Sequence, residues 1–151
     1  MEKFVEEQHG TTDDIVIEDF LASLKVLQPL LQGQAERQYL SRLETLALLS
    51  KTSPRDALME MVFCYALTNK MTDEDYSSFT DPSNYRAQIL LAHFLVLNHM
   101  LEECFLSTSS RWFAFSKQIS RSWIMNIGSR LPDGLQRYLM WPLGQAMDLS
   151  V

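Results

Sequence analysis

One long apolar segment, which follows Asp81-Pro82 and is expected to reach Phe105, constrains the fold of this chain more than any other feature. Asp followed by Pro is typical of a helix start, because Asp caps the first turn and Pro suits the first helical position. The apolar residues of the segment fall on most sides of the predicted helix rather than on one stripe. Such a helix must be covered from several directions. The segment therefore predicts a buried central helix in an all-α domain.

Two amphipathic helices are predicted near the start of the chain. Asp13 and Asp14 offer capping oxygens for the first, which weakens or stops at Pro29 and Gly33, and the second runs from about Gln34 to Ser50. The apolar and charged positions of the second helix separate into an inner and an outer face. The inner stripe is Leu40, Leu43, Leu46 and Ala47, and the outer face is Glu36, Arg37, Arg42 and Glu44.

Caps and breakers delimit the remaining helices. Ser53 is a suitable N-cap for a helix over about 54–68, and Thr72 for a short helix over 73–79. After the central helix we expect one helix over 112–127, with Gly128 as its C-terminal cap, and a last short helix over 135–141, ended by Pro142. The helix over 112–127 carries apolar residues at four-residue spacing, namely Phe115, Ile119, Trp123 and Ile127.

These elements predict an all-α fold, a single irregular helical domain of about five to seven helices around a long buried central helix. The first twelve residues lack an apolar period, so we expect a flexible N-terminal arm over 1–12. The helical domain is expected over 13–145, and a frayed C-terminal tail over 146–151.

The net charge of −6 is unevenly distributed along the chain. Residues 1–80 contain seven Lys and Arg against fourteen Asp and Glu, whereas residues 81–151 contain six against five. Because an acidic surface repels phosphate, we expect no direct binding of nucleic acid by this chain. The cations of the last third, among them Arg130, are interpreted as a solvated surface.

Localisation is predicted from the cysteines and from the apolar runs. Cys64 and Cys104 are isolated and lie in apolar runs, as small core residues do in a reducing compartment. The start of the chain is acidic and polar, unlike a secretory signal, and the longest apolar run is too short for a membrane span. We expect an intracellular protein of the nucleus or the cytoplasm.

The titratable residues do not predict a catalytic or metal site. His93 and His99 are six residues apart, or roughly 240° around a helix, so they face different directions. His99 and Glu103 could share a face, but a metal site needs three or four ligands. We therefore expect no metal and no cofactor, and we interpret both histidines as structural.

Large adaptable side chains are abundant, with eight Met, eight Phe and three Trp. Most of them are expected in the core. Some could instead line an apolar cavity or a partner groove, because Met and aromatic side chains adapt to varied shapes. Helical spacing alone does not separate these two interpretations.

The order of elements resembles one known family. The chain has three such elements in order. The first is a helix opened by Ser53-Pro54, and the second is a buried helix carrying Ile-Leu-Leu-Ala-His-Phe-Leu-Val-Leu (89–97). The third is a Trp-containing helix followed by Tyr-Leu-Met-Trp-Pro (138–142). Over about residues 35–145 the chain resembles the C-terminal part of the regulatory domain of fungal zinc binuclear-cluster transcription factors, nearest to the sterol uptake control proteins. The zinc cluster of that family needs six cysteines, and this chain has two.

The resemblance implies a non-enzymatic, transcription-regulator-type helical domain that lacks the DNA-binding zinc cluster. Such a domain would be a fragment, a truncated product or a stand-alone relative, and it would bind a hydrophobic small molecule or a protein partner, or form a homodimer. The expected binding region lies between the central helix and the Trp-containing helix. Phe94, Trp123 and Trp141 are the predicted lining residues.

Two other functions fit the same sequence. A small all-α biosynthetic enzyme or accessory protein with an apolar pocket would be indicated by a concave pocket that holds a histidine or carboxylate with a shifted pKa, for instance His93 or His99. A structural dimerisation adaptor would be indicated by a stable dimer that buries a large apolar face.

Overall fold

The computed structural model is helical wherever its described residues cover a helix predicted from the sequence, but the helix predicted over 135–141 is a 3-10 helix that leads into a further α-helix. It describes residues 14–53, 55–57, 59–60, 72–81, 83–105 and 111–148. The α-helices delimited by the described residues are α1 (Asp14–Leu27), α2 (Gln34–Thr52), α3 (Asp73–Thr80), α4 (Tyr85–Phe105), α5 (Arg111–Arg130) and α6 (Met140–Asp148). Two 3-10 helices, Gln28–Leu30 and Asp133–Leu139, precede α2 and α6. No strand occurs in the described ranges, so the predicted all-α class is confirmed.

Helix α4 is the centre of the domain, as its sequence predicts. It packs against α2, α5, α6 and the second 3-10 helix. The core cluster takes apolar side chains from most sides of α4, and even His93 in its middle is fully buried. Helix α4 begins three residues later than Pro82 suggests, because Asn84 caps it: the Asn84 Oδ1 accepts a hydrogen bond from the Ala87 N–H at 3.3 Å.

The turn between α1 and α2 depends on Gly33. Helix α1 ends in the Pro-containing 3-10 turn, and Gly33 then adopts a φ of 80°, a region where only glycine is unstrained. Helix α2 starts at the next residue and buries its predicted inner stripe completely. Pro29 and Gly33 thus end the first helix as predicted.

Replacing Gly33 by alanine is expected to lower the free energy of unfolding by about 1–3 kcal/mol, because its φ of 80° and ψ of 157° lie in a backbone region that is essentially restricted to glycine. Gly144 is the matched control, because it lies within α6 and, like Gly33, has open space around an added Cβ. At Gly144 alanine should raise the free energy by up to about 1 kcal/mol through its higher helix propensity. Urea denaturation of both variants measures the difference, and equal effects at the two positions would contradict it.

Glu36 is buried, which corrects the prediction that it lies on the outer face of α2. Its side chain is only 6% exposed. The Glu36 Oε1 accepts hydrogen bonds from Arg86 Nε at 2.9 Å and from the Gln32 N–H at 3.0 Å. The Glu36 Oε2 accepts from Asn84 Nδ2 at 3.3 Å. This cluster joins the first turn of α2 to the start of α4, and no helical period within α2 could reveal a partner fifty residues away.

Two predicted helix ends also differ from the structure. Helix α5 continues through Gly128 to Arg130, and Gly128 has a negative φ, so this glycine is not a C-cap. A Cβ at Gly128 would lie 3.1 Å from Leu143 of α6, so the glycine allows close packing of the two helices. Pro142 does not end a helix but lies in the first turn of α6, where a proline is tolerated because its N–H would have no partner.

Several predictions fall outside the described residues. They concern the flexible arm over 1–12, Cys64, most of the helix predicted over 54–68 and the last part of the tail predicted over 146–151. The first part of that predicted tail is helical, because α6 extends to Asp148. Ser53 is described, and its Oγ accepts a hydrogen bond from the Asp56 N–H, so the predicted N-cap is confirmed. None of the helices in the described residues combines the length and the apolar character that a membrane span requires.

Candidate ligand-binding site

A groove of about 280 Å³ lies between α4 and α5. Helix α4 contributes Gln88 and Leu91, which are three residues apart and therefore share a face. Helix α5 contributes a stripe at the spacing i, i+3, i+4, i+7. The stripe consists of Trp123, Asn126, Ile127 and Arg130. The groove thus lies between the central helix and the Trp-containing helix, the region in which ligand binding is expected from the sequence.

Trp123 is the one aromatic side chain in the described lining of this groove, and it is 53% exposed to solvent. The four-residue spacing of the apolar residues on α5 explains this exposure. Four residues turn a helix by about 400°, so each step moves the next side chain about 40° around the axis. Ile127 is buried, whereas Trp123 and Ile119, one and two steps earlier, reach the surface. The exposed indole can therefore pack against an apolar ligand that enters the groove.

Arg130 is the one charged side chain among the six described residues that line the groove. The ion pairs formed between described residues join Arg42 to Glu60, Lys51 to Glu18 and Arg86 to Glu36, and none includes Arg130. Gln88 and Asn126 add amide donors and acceptors. The groove therefore has a positive character in a chain whose net charge is −6.

The structure places the three predicted lining residues in three different settings. Trp123 lines the α4–α5 groove. Phe94 is buried, with its ring centroid 6.4 Å from that of Tyr39. Trp141 is half-buried on the other side of α4, 5.5 Å from Phe20 between ring centroids. Sequence reasoning missed four lining residues, namely Gln88, Leu91, Asn126 and Arg130. The basic residues of the last third were apparent in the sequence, but not that Arg130 lies in the same groove as Trp123.

Trp141 lines a second groove, of about 330 Å³, between α1 and the C-terminal helices. Exposed Val26 and Met140 and the charged Asp19 and Arg137 also line it. Below this groove the Trp141 indole is stacked on the imidazole of His93, with ring centroids 6.3 Å apart and planes inclined by 20°. The second groove therefore adjoins the most deeply buried histidine of the described chain.

The hydrogen bonds of His93 define its protonation state. The Nδ1 lies 2.9 Å from the Ile89 carbonyl oxygen, which can only accept, so Nδ1 carries the proton. In the neutral imidazole Nε2 is then an acceptor, and the Ser23 hydroxyl donates to it at 2.7 Å. Burial lowers the pKa of His93 from 6.5 to about 4, although the bond to Ile89 opposes this change. His93 is therefore neutral at pH 7.

The Ser23–His93 pair has the composition of a nucleophile and a base, but its location is that of a structural contact. An activated serine needs donors placed for the developing oxyanion, and backbone N–H groups usually supply them. Ser23 lies in the interior of α1, where the backbone N–H groups are used in helical hydrogen bonds. We interpret the pair as a polar link between α1 and α4.

His99 is the second buried histidine of α4. Burial, and secondarily the positive charge of Lys117 on α5, lowers its pKa from 6.5 to about 4. Both histidines are therefore neutral core residues at pH 7. Among the residues that the structure describes, no group of three or more His, Cys, Asp or Glu is arranged to hold a metal ion.

Comparisons with protein-family models, with curated proteins and with solved structures return no match for this chain. The resemblance to the fungal regulatory domains thus stays a prediction from the sequence. Function must be inferred from the grooves and from the residues that line them.

Proposed function

We propose that this chain is a non-enzymatic helical regulatory domain that binds a hydrophobic small molecule in the groove between α4 and α5. The observation that carries the proposal is the exposed Trp123 indole beside a groove that also contains Leu91 and Ile127. A volume of about 280 Å³ is close to the lower limit of ligand pockets, roughly 300 Å³. The ligand would therefore be small, or it would leave part of its surface in solvent.

The regulatory part of the proposal comes from the sequence resemblance. A regulatory domain of the fungal zinc-cluster type would respond to its ligand and act in the nucleus or the cytoplasm through a protein partner. The structure is consistent with this proposal in two respects: the fold is all-α, and the α4–α5 groove lies at the interface expected for the ligand. The alternative of a small enzyme has weaker support, because the Ser23–His93 pair lacks backbone donors for an oxyanion.

Replacing Trp123 by alanine is expected to weaken the binding of 1-decanol, a neutral apolar probe, by about 10- to 100-fold. A tryptophan that a ligand covers contributes on the order of 1.5–3 kcal/mol, and about 1.4 kcal/mol corresponds to a factor of ten. Isothermal titration calorimetry measures the change. Leu48→Ala is the matched control, because Leu48 is about as exposed as Trp123 but does not line the groove.

Three outcomes distinguish binding in the α4–α5 groove from binding to exposed apolar surface in general and from no binding. Weaker binding in Trp123→Ala with unchanged binding in Leu48→Ala supports the proposed site. Equal effects of the two substitutions would mean that decanol binds to exposed apolar surface in general. A wild-type chain that does not bind decanol or other small apolar molecules at all would refute ligand binding in this groove.

A further inference from the structure

The two ends of the α4–α5 groove differ in polarity. Gln88 belongs to the first turn of α4 and Arg130 to the last turn of α5, so these helices run antiparallel and their polar residues meet at one end. Asn126 is one helical turn from Arg130 and faces the same side. Toward the other end the lining changes to Leu91 and Trp123.

The apolar end continues along α5 beyond the groove itself. Ile119 lies four residues before Trp123, so the two side chains are neighbours on the helix surface. Both are exposed, Ile119 by 37% and Trp123 by 53%. An extended apolar chain that leaves the groove at Trp123 would therefore lie along Ile119 and stay in contact with apolar surface.

The polar end presents hydrogen-bond donors with a net positive charge. A guanidinium offers two parallel N–H donors that match the two oxygens of a carboxylate. The amide groups of Gln88 and Asn126 can donate to the same anion. No acidic side chain belongs to the described lining of the groove.

We propose that the ligand of this groove is an amphipathic monocarboxylate. Its carboxylate is bound by Arg130 with the amides of Gln88 and Asn126, and its apolar tail passes over Leu91 and Trp123 toward Ile119. This inference rests on the proposed function, because it assigns the chemical class and the orientation of the molecule in the same groove. The charge of Arg130 and the short groove favour a single-chain acid over a bulky neutral compound.

The charge requirement is tested with decanoate and 1-decanol, which share a tail and differ in the head group. Decanoate should bind the wild-type chain about tenfold more tightly than decanol. Arg130→Gln should weaken decanoate binding more than decanol binding and so remove this advantage, because only the carboxylate forms an ion pair with the guanidinium. Arg130→Lys, which keeps the charge but loses the forked geometry, should give an intermediate affinity for decanoate. The advantage should also decrease with added salt, because the site is open to solvent.

The orientation is tested by contact quenching of tryptophan fluorescence with brominated acids. Bromine on the terminal carbon of decanoate should quench Trp123 more strongly than bromine on the carbon beside the carboxylate. Trp123→Phe should remove the difference, which separates this signal from Trp112 and Trp141. Stronger quenching by the bromine next to the carboxylate would overturn the orientation.

Failure of this inference is distinguishable from failure of the proposed function. If decanol and decanoate bind equally and both need Trp123, the groove binds apolar ligands but the carboxylate assignment is wrong. If decanoate binds more tightly than decanol and Arg130→Gln does not change this, another cation holds the head group and the assignment to Arg130 is wrong. If neither compound needs Trp123, both proposals are wrong.

Discussion

Replacing Arg86 by methionine is expected to lower the free energy of unfolding by about 2–3 kcal/mol, less than for a fully buried ion pair, because the Arg86 side chain is 28% exposed while Glu36 is buried. Glu36 is 6% exposed, and its carboxylate accepts hydrogen bonds from Arg86 Nε and Nη2 at 2.9 and 3.4 Å. Methionine keeps the apolar stem of the arginine but leaves the carboxylate buried without its counter-charge. Chemical denaturation followed by circular dichroism measures the loss.

Arg42 provides the matched control for Arg86. Its pair with Glu60 is longer, 3.5 Å, and both side chains are substantially exposed, by 47% and 32%. Arg42→Met should therefore change the free energy of unfolding by no more than about 1 kcal/mol. The double variant Glu36→Leu with Arg86→Met should recover part of the loss, because it no longer buries a lone charge. Similar losses in Arg86→Met and Arg42→Met would show that burial of Glu36 does not determine the stability.

Acidification is expected to destabilise the protein between pH 6.5 and about 4 through His93. The pKa of His93 is about 4 in the folded protein and close to 6.5 in the unfolded chain. Between these values the unfolded chain binds a proton that the folded protein does not, so the free energy of unfolding rises with pH. The stabilisation is fully present above pH 6.5 and is lost as the pH falls to about 4. For His93 alone the loss is roughly 3 kcal/mol.

The contribution of His93 is isolated by the double variant Ser23→Ala with His93→Leu. This variant replaces the buried polar pair by apolar groups, so no hydroxyl or imidazole is left without its partner. Urea denaturation at several pH values should show a shallower dependence between pH 6.5 and 4 than in the wild-type protein. Some dependence should remain, because the pKa of His99 is lowered in the same direction. An unchanged slope in the double variant would contradict the assignment to His93.

Local sequence was sufficient to predict the helices, because caps and apolar periods act within a few residues. The inner stripe of α2 and the buried α4 are examples. Prediction was weaker where one residue type serves opposite purposes. Proline both ends helices and occupies their first turns, and glycine both caps helices and permits close packing. Pro142 and Gly128 were therefore placed in the right region but given the wrong role.

The candidate site was predictable only in part, and Trp123 shows why. Its helix and its partner helix α4 were expected from the sequence, but a four-residue spacing is compatible with both a buried and an exposed side chain. Which of these occurs depends on the angle at which α5 meets α4. The same angle brings Arg130 and Gln88, forty-two positions apart, to one end of the groove.

By itself, the sequence determined the helical class, the central position of α4 and the inner stripe of α2, since caps and apolar periods act along a single helix. Tertiary structure decided which polar residues are buried and what they contact. Glu36 with Arg86 and Ser23 with His93 meet across separations of fifty and seventy residues. Such pairs depend on how whole helices pack against one another. This packing depends on contacts between residues that are far apart in sequence, so no local pattern of residues predicts it.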